Sequence, residues 1–253
     1  MLFLQMDVPF GYGLFALAAV TLSVGYFVFA ITGFGAALLT VPMLSHFLPM
    51  PFVLPLAVLL DVGASLVVGI RFRTDADRRE LRWMVPASLI GAILGVTLLV
   101  SLPRDAAMGA LGFFTLAYGL YNLAGTTFRP ISSAWAPIAG LTGGAMGTLF
   151  GIGAPPYAIY LSRRLTDKAA MRATLSTMVL FSTGIRLIVF ALAGLVLADR
   201  LIAFALLFPF ALAGLWVGQR VHVVLSREKV LVAISVLLIA YGISLLLRVI
   251  FAA

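Results

Sequence analysis

Apolar residues run along this chain in long blocks separated by short polar connections. The blocks fall at about 10–32, 34–48, 51–70, 83–102, 106–124, 134–161, 170–198, 201–218 and 230–251. A helix needs about 20 residues to cross the hydrocarbon core of a bilayer, so most blocks allow one crossing. The alternating, roughly ten-residue pattern of barrel strands is absent. The pattern predicts an all-α polytopic membrane protein.

Two blocks are interrupted where a helix should continue. In Gly147-Thr148-Leu149-Phe150-Gly151-Ile152-Gly153-Ala154-Pro155-Pro156, three glycines and two consecutive prolines fall within ten residues. Glycine costs a helix interior about 1 kcal/mol and proline about 3 kcal/mol. Such a stretch persists at membrane depth only inside protein or beside a watery cavity. A weaker copy, Gly33-Phe34-Gly35-Ala36-Ala37-Leu38-Leu39-Thr40-Val41-Pro42, interrupts the first half.

The connection 125–133 has the Gly/Pro/Ser character of a linker and divides the chain nearly in half. A shift of 118 residues lays Gly25 on Gly143, Gly33 on Gly151, Gly35 on Gly153 and Ala36 on Ala154. The repeat 1–124 is then a broken segment (about 10–48) and three spans, 51–70, 83–102 and 106–124. The repeat 134–253 is a broken segment (about 134–161) and spans 170–198, 201–218 and 230–251. Matching interrupted helices in two halves point to a transporter binding site.

Charge tests how the halves are oriented. If each broken segment crosses once, eight basic residues fall on each side of the membrane. If each enters and leaves on one side, loops 71–82, 162–172 and 219–229 share a face with Arg129. That face holds thirteen basic residues, against Arg104, Arg200 and Arg248 opposite. Only the second arrangement obeys the positive-inside rule. It predicts two inverted-topology repeats, each a re-entrant helical hairpin followed by three transmembrane helices, with the three loops cytoplasmic.

Composition narrows the function. The chain is 63% hydrophobic and 10% charged, with a mean hydropathy of +1.16, against about 25% charged in soluble domains. The net charge of +8 lies mostly in loops that meet lipid headgroups, so it does not imply nucleic acid. There is no cysteine, and His46 and His222 form no metal-ligand pattern. The acid-bearing N-terminus has neither a basic n-region nor a cleavage site, so the first block is expected to be retained. An intramembrane enzyme needs a nucleophile with a base, or paired carboxylates. The sequence offers Asp61 as its one clear intramembrane carboxylate, and no catalytic residue, cofactor or metal is assigned.

The candidate site is built from the two breaks. Helix starts near Ala36 and at Ala154–Pro156 point free N–H groups and a partial positive charge at an anion. The small residues Gly33, Gly35, Gly151, Gly153 and Ala154 let backbone approach a ligand. The alternative for Gly143, Gly147 and Gly151 is tight helix packing. Pro155 and Tyr157 belong to the second break, and Tyr157 or Tyr160 could donate to an anion. Arg186 stands deep in an apolar block, where a cation is costly and should face a cavity, an anion or a carboxylate. Asp61 could pair with it or carry a coupling proton or sodium ion. Ser65 and its shifted counterpart Thr183 are cavity-lining candidates, with hydrogen bonding to their own helix the alternative. His46 is a second coupling candidate. Trp83 and Trp135 read as interfacial anchors, and Arg163 and Arg164 as part of the basic cytoplasmic face.

These residues carry a family resemblance. Gly33-Phe34-Gly35…Val41-Pro42 and Gly151-Ile152-Gly153-Ala154-Pro155-Pro156…Tyr160-Leu161-Ser162-Arg163-Arg164 resemble the paired signatures of the TauE/SafE family of sulfite and organosulfur-anion exporters. Chain length, segment count and the arginine in Phe181–Phe190 agree, and the resemblance covers essentially the whole chain. It implies a secondary transporter, expected to export sulfite, sulfoacetate or a related sulfonate across a bacterial inner membrane. An anion channel and a carrier of a small non-sulfur carboxylate remain the alternatives. A homodimer is compatible with the pattern.

Overall fold

The computed structural model describes residues 11–32, 36–68, 76–124, 130–221 and 227–252. Gly33, Gly35, basic-loop residues 71–75, linker residues 125–129 and loop residues 222–226 lie outside them. The described residues are helical, with no strand: α1 (Tyr12–Thr32), α2 (Ala36–Ser45), α3 (Met50–Val68), α4 (Arg78–Ser101), α5 (Arg104–Leu123), a 3-10 turn at Ser133–Trp135, α6 (Ala136–Phe150), α7 (Ala154–Arg164), α8 (Lys168–Leu192), α9 (Ala198–Val221) and α10 (Arg227–Ala252). Seven of them (α1, α3, α4, α5, α8, α9 and α10) are long and apolar enough to cross a membrane. The helices α2, α6 and α7 are shorter.

Several boundaries differ from the hydropathy pattern, and caps explain them. The block expected at 83–102 begins at Arg78, because the Asp77 carboxylate accepts from the backbone N–H of Arg79 at 2.8 Å and of Glu80 at 3.4 Å. The block expected to reach residue 198 stops at Leu192, where Gly194 takes φ +70° and Leu195 N–H returns to the Phe190 carbonyl at 2.9 Å. The polar loop read as 162–172 shrinks to 165–167, because α7 runs through Arg164 and α8 starts at Lys168.

Close backbone seams fix which helices pair. Along α4 and α6, a Cβ on Gly144 would lie 2.1 Å from the Ser88 carbonyl oxygen, and one on Gly140 would lie 2.4 Å from that of Met84. Along α1 and α9, a Cβ on Gly214 would lie 2.0 Å from the Ser23 oxygen, and one on Gly218 would lie 2.6 Å from that of Phe27. Without a hydrophobic driving force between helices in lipid, small residues that admit backbone contact hold such seams together. The contact residues rise together, Met84 to Ser88 against Gly140 to Gly144 and Ser23 to Phe27 against Gly214 to Gly218, so both pairs run parallel. The α5–α10 pair is antiparallel: Gly112 meets Leu245, and Gly119 meets Ile239.

The same pairings locate the ends of the bundle. Gly140, near the start of α6, abuts Met84, and Arg164, at the end of α7, bonds Glu80. The α6–α7 hairpin therefore enters and leaves beside the start of α4. At the other end, the Arg248 guanidinium donates to the His46 carbonyl, and Arg200 at the start of α9 lies 5.3 Å from the ring centroid of Phe52 at the start of α3. Helix starts also recur at one offset: α2 and α7 begin at Ala36 and Ala154, and α3 and α8 at Met50 and Lys168, 118 residues apart in both cases.

Candidate functional site

The second break is a left-handed turn followed by a new helix. Gly151 closes α6 with φ +77°, and its N–H returns to the Gly147 carbonyl at 3.0 Å. Gly153 then caps α7, whose first turn holds Pro155 and Pro156. Two of that turn's usual free N–H groups are thus missing, because proline has none. The start of α2, at Ala36-Ala37-Leu38, contains no proline and keeps its donors. The two breaks contribute unequal donor sets.

The breaks touch. A Cβ on Gly151 would lie 2.9 Å from Val41 Cγ2 and 3.3 Å from the Ala37 Cβ, so the tip of α6 rests on the first turns of α2. Gly143, Gly147 and Gly151 do not form the helix–helix seam; Gly140 and Gly144 do. A Cβ on Gly143 would fall 2.1 Å from the Tyr157 ring, and one on Gly147 would fall 3.3 Å from both Arg186 Cδ and Gly153 Cα. These glycines clear room for the side chains that line the break.

Arg186 comes from α8. Its span is Ala173–Leu192, which puts Arg186 about one helical turn past the middle rather than at the centre. The residue is 4% exposed, yet its Nε and Nη2 atoms find no hydrogen-bond partner among the described residues. Buried guanidinium donors are normally satisfied. Asp61, Tyr157 and Tyr26 are the groups within its electrostatic reach, and Asp61 is not in ion-pair contact with it. The Tyr26 hydroxyl instead donates to Asp61 Oδ1 at 2.8 Å. Tyr157, fully buried, shares a hydrogen bond of 3.0 Å with Ser182.

The sequence candidates fall into two groups. Ala36, Gly151, Gly153, Ala154, Pro155 and Tyr157 sit at the breaks, with Arg186 and Asp61 close by. Thr183 spends its hydroxyl on the Val179 carbonyl of its own helix at 2.9 Å, while Ser65 stands one turn beyond Asp61 on α3. His46 lies apart, at the far end of α2, with its ring nitrogens on the Pro42 carbonyl at 2.9 Å and Ser244 Oγ at 3.1 Å. Tyr160 and Arg164 are not at the break. The Tyr160 hydroxyl donates to Glu80 Oε2, and Arg164 Nε donates to Glu80 Oε1 at 2.9 Å.

Two residues escaped the sequence reading. Tyr26 stands in an unbroken apolar block and has Gly144 as its shifted counterpart, so neither periodicity nor the repeat marks it. Glu80 was absorbed into a charged loop. Its signal was position: an acid three residues after a capping aspartate, in the first turn of a membrane helix.

The sequence profile of the family described as sulfite exporter TauE/SafE matches residues 17–245. A curated relative, the probable inner membrane transporter protein TsaS of Comamonas testosteroni, is 29% identical over 201 residues, covering 75% of this chain and 81% of the relative. No solved structure matches.

Proposed function

The chain belongs to the TauE/SafE sulfite exporter family of membrane transporters, and from that membership we propose a secondary transporter of a small sulfur oxyanion, such as sulfite, sulfoacetate or another sulfonate. The observation that carries this reading is Arg186. Its Nε and Nη2 donors are buried and have no partner among the described residues, and its Cδ packs beside Gly147 at the turn. Guanidinium presents paired N–H donors along one edge of its plane, a geometry suited to two oxygens of one anion. The free N–H groups and dipole of α2, resting against the same turn, add to the attraction. A bound sulfonate would satisfy donors that are otherwise costly to leave empty.

The packing directions support the membrane arrangement expected from charge. The antiparallel α5–α10 pair and the return of the α6–α7 hairpin to the end it entered favour inverted repeats whose broken segments meet inside the bundle. The connections 76–77 and 165–167 then share the cytoplasmic face, while residues 46–49, 102–103 and 193–197 face the periplasm. A fixed site between two inverted halves is the arrangement used for alternating access. The relative's inner-membrane assignment suits this placement.

The test is a thermal-shift screen of detergent-solubilised protein with sulfite, sulfoacetate, sulfolactate, taurine, sulfate and acetate. Wild type should be stabilised by one or more sulfur anions, and Arg186→Ala should stay folded and lose the shift. An unchanged anion response in Arg186→Ala removes this residue from the site. Reconstituted flux that neither saturates nor responds to a proton gradient would instead favour a channel.

A further inference from the structure

We propose that Asp61 is the proton-carrying residue of the transport cycle, and that a monovalent anion enters the Arg186 site together with one proton that neutralises the Asp61 carboxylate. The inference rests on the anion site proposed for Arg186 and goes beyond it by naming what is coupled to the anion.

Asp61, near the middle of α3, and Arg186 on α8 lie within electrostatic reach of each other but are not in contact. Their charges cancel while the site is empty. Asp61 is held instead by Tyr26, whose hydroxyl donates to Oδ1 at 2.8 Å. Arg186 therefore keeps two donors for a third party rather than using them on Asp61.

A monovalent sulfonate bound to Arg186 changes that balance. The region would then hold two negative charges against one positive charge. Like charges at close quarters favour protonation of a carboxylate, and an uncompensated buried charge is strongly unfavourable. Protonating Asp61 restores neutrality: the proton adds to a carboxylate oxygen, and Tyr26 remains its hydrogen-bond neighbour. Among the described residues, no other group nearby can accept that role. The helix α6 carries no titratable side chain. The helix α2 carries none either, and His46, just past its end, is engaged with Ser244 at 3.1 Å. The neighbouring helix α9 opposes Gly63 with the rings of Phe204 and Phe208, while its Asp199 and Arg200 pair with each other at 2.8 Å. On α4, Glu80 is taken by Arg164 and Tyr160. Tyr157 on α7 shares its hydroxyl with Ser182.

Coupling of this kind makes the step electroneutral. The membrane potential then no longer drives the anion, and net direction follows the anion and proton gradients together.

The test counts protons. Isothermal calorimetry of the whole protein in nanodiscs, in two buffers of different ionisation enthalpy, gives protons taken up per anion bound. Methanesulfonate, isethionate and sulfite are the probes, the first two being monovalent at every working pH. Wild type should take up one proton with methanesulfonate or isethionate, and its affinity should fall about tenfold per pH unit on the alkaline side. For any probe that binds, Asp61→Asn should take up one proton fewer than wild type and lose that pH dependence while still binding; Asp61→Ala replaces it if the asparagine variant does not fold. A wild-type count of zero, or the same count in wild type and variant, overturns the proposal. If Arg186→Gln binds as wild type does, the anion-site reading fails instead. If none of the three probes binds wild type, both fail.

Discussion

Glu80, in the first turn of α4, and Arg164, the last residue of α7, meet through a hydrogen bond of 2.9 Å between Arg164 Nε and Glu80 Oε1. The pair ties the outer end of the α6–α7 hairpin to a membrane-spanning helix. Its halves are unequal: the Arg164 side chain is 40% exposed and that of Glu80 is 4% exposed. Arg164 can turn to water when its partner is lost, whereas Tyr160 cannot, because its hydroxyl is buried on Glu80 Oε2. Glu80→Ala should therefore cost about 1–3 kcal/mol through the unsatisfied tyrosine hydroxyl, and Arg164→Ala about 1 kcal/mol or less. Thermal unfolding in detergent measures both. Equal losses would mean that the ion pair, not the tyrosine, carries the latch.

Gly151 makes a sharper case. Its φ of +77° is a left-handed conformation, and a Cβ there would crowd Val41 at 2.9 Å. Gly151→Ala should lose about 1–2 kcal/mol from backbone strain alone, with the contact to α2 adding to it. Gly184, on α8, meets nothing within 4 Å. Gly184→Ala should be neutral or stabilising by up to about 1 kcal/mol, the helix-propensity difference. Thermal shifts of the two variants, each against wild type, check the contrast.

The extent to which sequence revealed this arrangement depends on the physical scale of each signal. Hydropathy over twenty residues located all seven long helices, because lipid demands continuous apolar stretches. Gly151, Gly153 and Pro155 announced the second break for the same reason in reverse: they are costly in a helix. Helix ends were less visible, since the Asp77 cap and the Gly194 turn act through single side chains and backbone angles. Pairing was least visible. Nothing local in Gly140, Gly144, Gly214 or Gly218 says which helix each will meet, and the Tyr26–Asp61 bond joins residues 35 apart through a packing seam. Arg186 was legible as an expensive residue, but its freedom from Asp61 was not, because that depends on where Tyr26 places the carboxylate.

Replacing Arg186 by lysine separates charge from geometry. Lysine keeps the positive charge and loses the planar fork that can hold two oxygens of one anion. Arg186→Lys should bind sulfur oxyanions at least tenfold more weakly than wild type, a difference of about 1.4 kcal/mol. Titration of the stabilising anion against both proteins gives the ratio. Equal affinities would reduce Arg186 to a source of positive potential.

The chain's lack of cysteine makes its topology directly testable. Thr166 lies exposed between α7 and α8, and Leu197, 50% exposed, between α8 and α9. Because α6 starts and α7 ends beside the start of α4, Thr166 belongs with the basic face. One full crossing by α8 puts Leu197 opposite. Thr166→Cys should therefore resist a membrane-impermeant maleimide in intact cells and react after permeabilisation, and Leu197→Cys should react in both. A single crossing by the α6–α7 segment would reverse both patterns relative to loop 71–82. It would also require Arg164 and Glu80, which are bonded to each other, to lie on opposite sides of the membrane. Labelling of Thr166→Cys in intact cells would therefore overturn both the sidedness and the hairpin, unless a second cysteine at Ala76 labels with it. In that case the hairpin stands and the whole molecule is inverted.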